Sequence, residues 1–73
     1  MADTTVESEI PGKVLRIQAP VGTKVEEDDP IVFVESMKME IPIGAPSAGT
    51  VKEILVAEGD TIEEGDEIAV VSS

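Results

Sequence analysis

The chain has 73 residues, with 16 acids against 5 bases, a formal net charge of −11, and neither cysteine nor histidine. Those absences exclude disulfides, zinc sites of the usual kinds, Ser-His-Asp triads and Cys-His pairs. A surface this acidic repels phosphate backbones, which argues against nucleic acid as a partner, and no stretch approaches the roughly 20 apolar residues that span a bilayer.

At the N-terminus, Met1-Ala2-Asp3-Thr4-Thr5 carries no basic region and no apolar run, so it does not read as a signal peptide. The expected location is the cytoplasm; a mitochondrial matrix location would need a transit peptide. At this length a single domain, residues 1–73, is expected, close to the lower size limit for folding without staples.

From Gly12 onward the chain is organised by a repeat. Residues 12–36 align with residues 49–73 at an offset of 37. Matched pairs include Gly12/Gly49, Val14/Val51, Ile17/Ile54, Gly22/Gly59, Glu26/Glu63, Glu27/Glu64, Asp29/Asp66, Ile31/Ile68 and Val34/Val71. Each copy reads as strand, turn, short strand, turn, strand. Val14 and Ile17 open the first copy with β-branched side chains suited to a pleated surface. Gly22 breaks the apolar pattern where a tight turn needs positive φ. The run Ile31-Val32-Phe33-Val34 is short, apolar and bounded by turn signals, and its length and β-branching favour a strand over a helix. In the second copy Val51 and Ile54, Gly59, and Ile68-Ala69-Val70-Val71 repeat the pattern. Asp28 stands where the second copy has Gly65. If Gly65 is left-handed, Asp28 is expected to be so too, because Asp tolerates that region better than most residues.

Between the copies lies Met37-Lys38-Met39-Glu40-Ile41-Pro42-Ile43-Gly44-Ala45-Pro46-Ser47-Ala48. One strand ends near Glu35-Ser36 and another begins near Met39, so Lys38 falls on a hairpin spanning about 35–41. Pro42 and Pro46 mark an edge strand and its exit, since proline cannot donate to a ladder. A turn tip is exposed yet backed by a rigid element, a place from which a side chain can be handed to another enzyme. A lysine amine is acylated to a stable amide with loss of charge. An exposed lysine is mostly protonated at neutral pH, so a modifying enzyme must supply the base and the activated acyl group. Taken alone, an exposed lysine is most often simply surface, and methionine often fills gaps in a core. Two methionines around a turn lysine nevertheless expose at least one soft apolar side chain suited to recognition.

Glycines, prolines and acidic clusters interrupt every candidate helix. The fold class expected is all-β: short antiparallel strands in two quasi-equivalent halves, closed as a flattened barrel or sandwich over a thin Val/Ile core with Phe33 the one aromatic. The carboxylates cluster beside turns with no aromatic set to build a pocket, which argues against an enzyme acting alone.

The segment Glu35-Ser36-Met37-Lys38-Met39-Glu40 resembles the motif of the biotinyl/lipoyl attachment domains, in which the lysine between two methionines receives biotin. Ala45-Pro46-Ser47-Ala48-Gly49-Thr50-Val51 is similar to that family's Ala-Pro-x-x-Gly-x-Val segment. Glu58-Gly59-Asp60 and Glu64-Gly65-Asp66 are similar to its second-half turns. The resemblance runs from about Ile10 to Val71. It implies two four-stranded sheets related by a pseudo-twofold, with the lysine hairpin at one end and both termini at the other. It further implies covalent biotin on Lys38, with Met37 and Met39 as flanking recognition residues and Glu35, Ser36 and Glu40 completing the motif. The partners implied are a biotin protein ligase, a biotin carboxylase and a carboxyltransferase, as in an acyl-CoA carboxylase. The chain itself would be a non-catalytic, monomeric carrier. Lipoyl domains usually place Asp before the lysine and a small or aliphatic residue after it, so Met37 and Met39 favour biotin and leave lipoate, or both cofactors, as the alternative. An unmodified docking adaptor is the third reading. The first half has no room for the protruding loop of some bacterial biotin carriers, and the chain resembles the stand-alone attachment proteins.

Overall fold

The computed structural model describes residues 2–73. Eight strands follow in order: β1 Asp3–Glu7, β2 Gly12–Ile17, β3 Lys24–Val25, β4 Pro30–Ser36, β5 Met39–Gly44, β6 Gly49–Ile54, β7 Thr61–Ile62 and β8 Glu67–Ser72. They form two antiparallel four-stranded sheets, ordered β1-β8-β6-β3 and β5-β4-β2-β7. Exchanging β1 with β5, β2 with β6, β3 with β7 and β4 with β8 turns one order into the other. The sequence repeat is therefore a structural pseudo-twofold, and the all-β fold of two four-stranded sheets is as expected.

The twofold reaches further than the matched residues 12–36 and 49–73. At the same offset of 37, β1 corresponds to β5, although the two share almost no sequence. Val6 and Ile43 are both buried, as are Ser8 and Ala45. The backbone repeats the correspondence. Ser8 N–H donates to the Asp66 carbonyl and Gly65 N–H to that of Ser8, each at 2.8–2.9 Å. In the other half, Ala45 N–H donates to Asp29 and Asp28 N–H to Ala45, both at 2.9 Å. Ser8 keeps its hydroxyl in the interior by donating to the Ile10 carbonyl at 2.6 Å, as a buried polar group must.

The core is built from symmetric pairs: Val14 with Val51, Val25 with Ile62, Ile31 with Ile68, Val32 with Ala69, and Val34 with Val71. All are aliphatic and mostly β-branched, which lets two pleated faces interlock in a thin layer. Phe33, the chain's one aromatic, does not belong to this core. It is half-buried on the outer face of its sheet, because the alternation that buries Val32 and Val34 turns it outward.

Four four-residue turns also obey the twofold: residues 20–23, 26–29, 57–60 and 63–66. Each closes with a 3.1 Å hydrogen bond from the fourth N–H to the first carbonyl, and each third residue has positive φ. Three of those residues are Gly22, Gly59 and Gly65, at φ 96°, 90° and 90°. The fourth is Asp28 at 73°, as its alignment with Gly65 predicts. Asp29 and Asp66 fix their turns by accepting the Glu26 and Glu63 N–H groups at 2.9 and 2.8 Å. Asp28→Gly removes a left-handed Cβ and one carboxylate from a run of four acids, against the added chain entropy of glycine. The expected result is a thermal midpoint unchanged or raised by a few degrees; a clear fall would show that Asp28 has a favourable role that its backbone does not reveal.

β1 is also tied down laterally. Lys52 Nζ lies 2.7 Å from Asp3 Oδ2, joining β1 to β6 across β8. Hydrogen bonds from Lys52 first, and then Ser72, hold the Asp3 carboxyl below its ordinary value, and the same pair raises the Lys52 ammonium. A lowered carboxyl pKa stabilises the fold above its unfolded value and loses that contribution as pH falls through the folded one. A raised lysine pKa stabilises below its unfolded value and loses that contribution in strong base. Wild type is therefore expected to exceed Asp3→Asn in thermal midpoint by a small margin at neutral pH, the pair being exposed. The margin should vanish in acid and shrink in high salt; a gap that persists at low pH would rule out the ion pair as its source.

Candidate functional site

The Met37-Lys38 pair is the two-residue loop between β4 and β5. Ser36 pairs with Met39, Glu35 with Glu40, Val34 with Ile41 and Phe33 with Pro42. Met37 has φ 53° and Lys38 φ 65°, so both central residues are left-handed, the signature of a type I′ turn. That turn matches the right-handed twist of the flanking strands, but it is ordinarily built from Asn and Gly. Here two long side chains occupy it, at a cost of about 1–2 kcal/mol each relative to glycine. The strain indicates that the side chains at the tip, rather than ease of turning, set the choice of residue.

Met37 is 92% and Met39 63% exposed. Neither fills a gap in the core, so the two methionines form an apolar pair in water on either side of the lysine. Lys38 is exposed and makes no hydrogen bond or ion pair among the described residues. Ser36 is half-buried at the base of the turn, and Glu35 and Glu40 are exposed. The residues singled out from sequence are thus together on one hairpin end. Pro42 lies on β5, an edge strand, and Pro46 follows its end, both as expected.

β5 carries the chain about 17 Å away from the tip. The chain then reaches Gly49, which approaches the backbone of Ser72 near the C-terminus. There Ser73 N–H donates to the Ala2 carbonyl at 3.0 Å, the symmetric counterpart of the Ser36–Met39 pairing. The lysine turn and the paired ends therefore occupy opposite ends of a body 36 Å long and 18 Å across. The site is a protrusion. A groove of about 890 Å³ between β1 and β5 has no residue of the turn in its lining. Such an arrangement can present an amine to the active site of another protein.

Sequence reasoning did not identify Arg16. Its guanidinium lies 4.1 Å from the Phe33 ring centroid, and its Nη2 is 2.6 Å from Glu40 Oε1. The signal was hidden because alternation alone places Arg16 on the same face as buried Val14. A bulge between Val14 and Arg16 shifts the register of β2 and turns Arg16 outward, opposite Phe33.

Comparison with known proteins agrees with this geometry. A family model described as "Biotin-requiring enzyme", of the biotin/lipoyl type, matches residues 2–71. The chain is 45% identical over 67 residues to the biotinylated protein TB7.3 homolog of Mycobacterium leprae, covering 92% of this chain and 94% of the relative. It is 38% identical over 69 residues to the biotin/lipoyl attachment protein of Bacillus subtilis, covering 94% of each. Among solved structures, the urea carboxylase of Kluyveromyces lactis superposes with a TM-score of 0.93 at 36% identity, over 99% of this chain and 6% of that one. With two sheets, a central lysine hairpin and a match over nearly its whole length, the chain belongs to the biotin/lipoyl attachment domain family.

Proposed function

We propose that this protein is a biotin carrier, modified on Lys38 by a biotin protein ligase and serving a biotin-dependent carboxylase. The observation that carries the reading is the exposed Lys38, unpaired among the described residues, at the apex of a strained two-residue turn between two exposed methionines. The Lys38 amine would attack the activated carboxyl of biotin; the activating group leaves, and the amine proton passes to a base of the ligase. Biotin, when attached, supplies the atom that carries a carboxyl group between a carboxylase site and a carboxyltransferase site. The chain's own part is to hold the arm on a rigid hairpin, keep the far end clear of it, and raise the arm's local concentration at each site. Met37 and Met39 would be the contacts on either side of the attachment point, with Glu35, Ser36 and Glu40 forming the base that a ligase meets.

Biotin is favoured over lipoate by Met37 in place of the Asp usual in lipoyl domains, and by the biotinylated relative. The protein is to be coexpressed in parallel with a biotin ligase and with a lipoate ligase, each with excess cofactor, and its intact mass measured. One biotin-sized increment is expected in the first case. An increment only in the second would replace biotin by lipoate, and none in either, with the fold intact, would leave the unmodified adaptor reading.

A further inference from the structure

The two halves of the molecule match in strand order, bulges, turns and core, so a feature present in one half alone stands out. Arg16, Phe33 and Glu40 form such a feature. Their symmetric counterparts are Glu53, Val70 and Asp3. Glu53 faces Val70 across the equivalent bulge, with an acid where Arg16 stands and no ring beneath it. In that half the edge-strand acid Asp3 is bridged across β8 by Lys52, the residue before Glu53, so both halves carry an ion pair here, but only the half with the Met37-Lys38 turn has a guanidinium stacked on a ring.

The cluster spans three strands on the outer face of one sheet. Arg16 leaves β2, lies across the Phe33 ring on β4, and reaches Glu40 on the edge strand β5. Glu40 is only two residues from Lys38. Its direct cross-strand partner is Glu35, and like charges in that position repel and open a hairpin. The turn beyond them is strained by two left-handed side chains, and β5 has a neighbour on one side only. Glu35 has Lys13 opposite it on β2, whereas Glu40 on the edge strand has no second neighbouring strand; Arg16 neutralises Glu40 and draws β5 toward β2.

We propose that Arg16, acting through Phe33 and Glu40, is a positioning residue that holds the Lys38 hairpin closed for its modifying enzyme. The role in modification rests on Lys38 being the biotin acceptor; the clasp itself is measurable without a ligase. In amide hydrogen exchange, Arg16→Ala is expected to speed exchange of residues 36–41 about five- to tenfold while leaving β6 and β8 unchanged. Its kcat/KM for biotinylation is expected to fall by a similar factor. Arg16→Lys restores the charge without the planar stack on Phe33 and should recover only part of both effects. Because Arg16 acts through Glu40, the effect of Arg16→Ala should be much smaller in a Glu40→Gln background. Unchanged exchange at the hairpin in Arg16→Ala overturns the proposal. So does a rise in KM alone that is equally large in the Glu40→Gln background, since that is the signature of direct contact between Arg16 and the ligase. Failure of the wild type to be biotinylated would sink the carrier reading and, with it, the clasp's role in modification, leaving the exchange data to decide only whether the clasp closes the hairpin.

Discussion

Lys38→Arg is expected to abolish the biotin increment completely while leaving the thermal midpoint within about 2 °C of wild type, the range of a surface substitution. Arginine keeps the positive charge and the long stem, and position 38 is exposed, so the hairpin has no reason to change. What it lacks is an amine that can be deprotonated. The other lysines are poor substitutes on geometry alone. Lys13, Lys24 and Lys52 lie within β2, β3 and β6, and Lys52 is held by Asp3 at 2.7 Å. A ligase site shaped for a protruding turn is expected to discriminate against an amine that rises from the middle of a strand. The double variant Met37→Lys/Lys38→Met sharpens the test, because it keeps both left-handed positions filled and the composition unchanged. It moves the amine by one residue, so that it leaves the turn in a different direction, and no increment is expected. Labelling of Lys38→Arg at another lysine would show that the ligase reads the domain without reading the turn.

Most of this site is legible in the sequence, for a physical reason. A duplicated sequence states its own register, and Met37-Lys38 follows directly on Ser36, the last residue of the first copy, where the segment between the copies begins. The left-handed turn at Asp28 was legible in the same way, through its alignment with Gly65. Where the repeat carried no residue identity, the reading stopped. β1 is not legible because Thr4, Thr5 and Glu7 match Ile41, Pro42 and Gly44 in position only; the burial of Val6, the counterpart of Ile43, and the pairing of β1 with β8 are tertiary facts. Ser8 sits in the interior because its hydroxyl finds the Ile10 carbonyl, a partner two residues away that composition cannot reveal. Phe33 has the hydrophobicity of a core residue, yet strand alternation sends it to the outer face. Arg16 is not legible as a site residue because the bulge that turns it outward has no local sequence signature.

Gly12→Ala is expected to be among the most damaging single-methyl substitutions in the chain. Gly12 recurs as Gly49, and neither has the positive φ that would explain a glycine. The explanation is close approach. A Cβ at residue 12 would lie 2.5 Å from both the Glu35 carbonyl oxygen and Val34 Cγ1; at residue 49 it would lie 2.6 Å from the Ser72 oxygen and 2.8 Å from Val71 Cγ1. Val34 and Val71 are buried and stiff at χ1, so the backbone of β4 or β8 must yield. Overpacking of this kind costs about 2–3 kcal/mol, or roughly 10–15 °C in thermal midpoint for a domain this small. The twofold predicts similar losses at the two sites, but their consequences for function differ. Displacement of Glu35 is transmitted directly into the mouth of the lysine hairpin, whereas displacement of Ser72 is spent at the chain ends 36 Å body-length away. Assayed at a temperature where both variants remain folded, Gly12→Ala should be biotinylated several-fold more slowly than Gly49→Ala. Equal rates at equal stability would mean that the ligase reshapes the hairpin as it binds and that the geometry of β4 in the free protein does not limit modification.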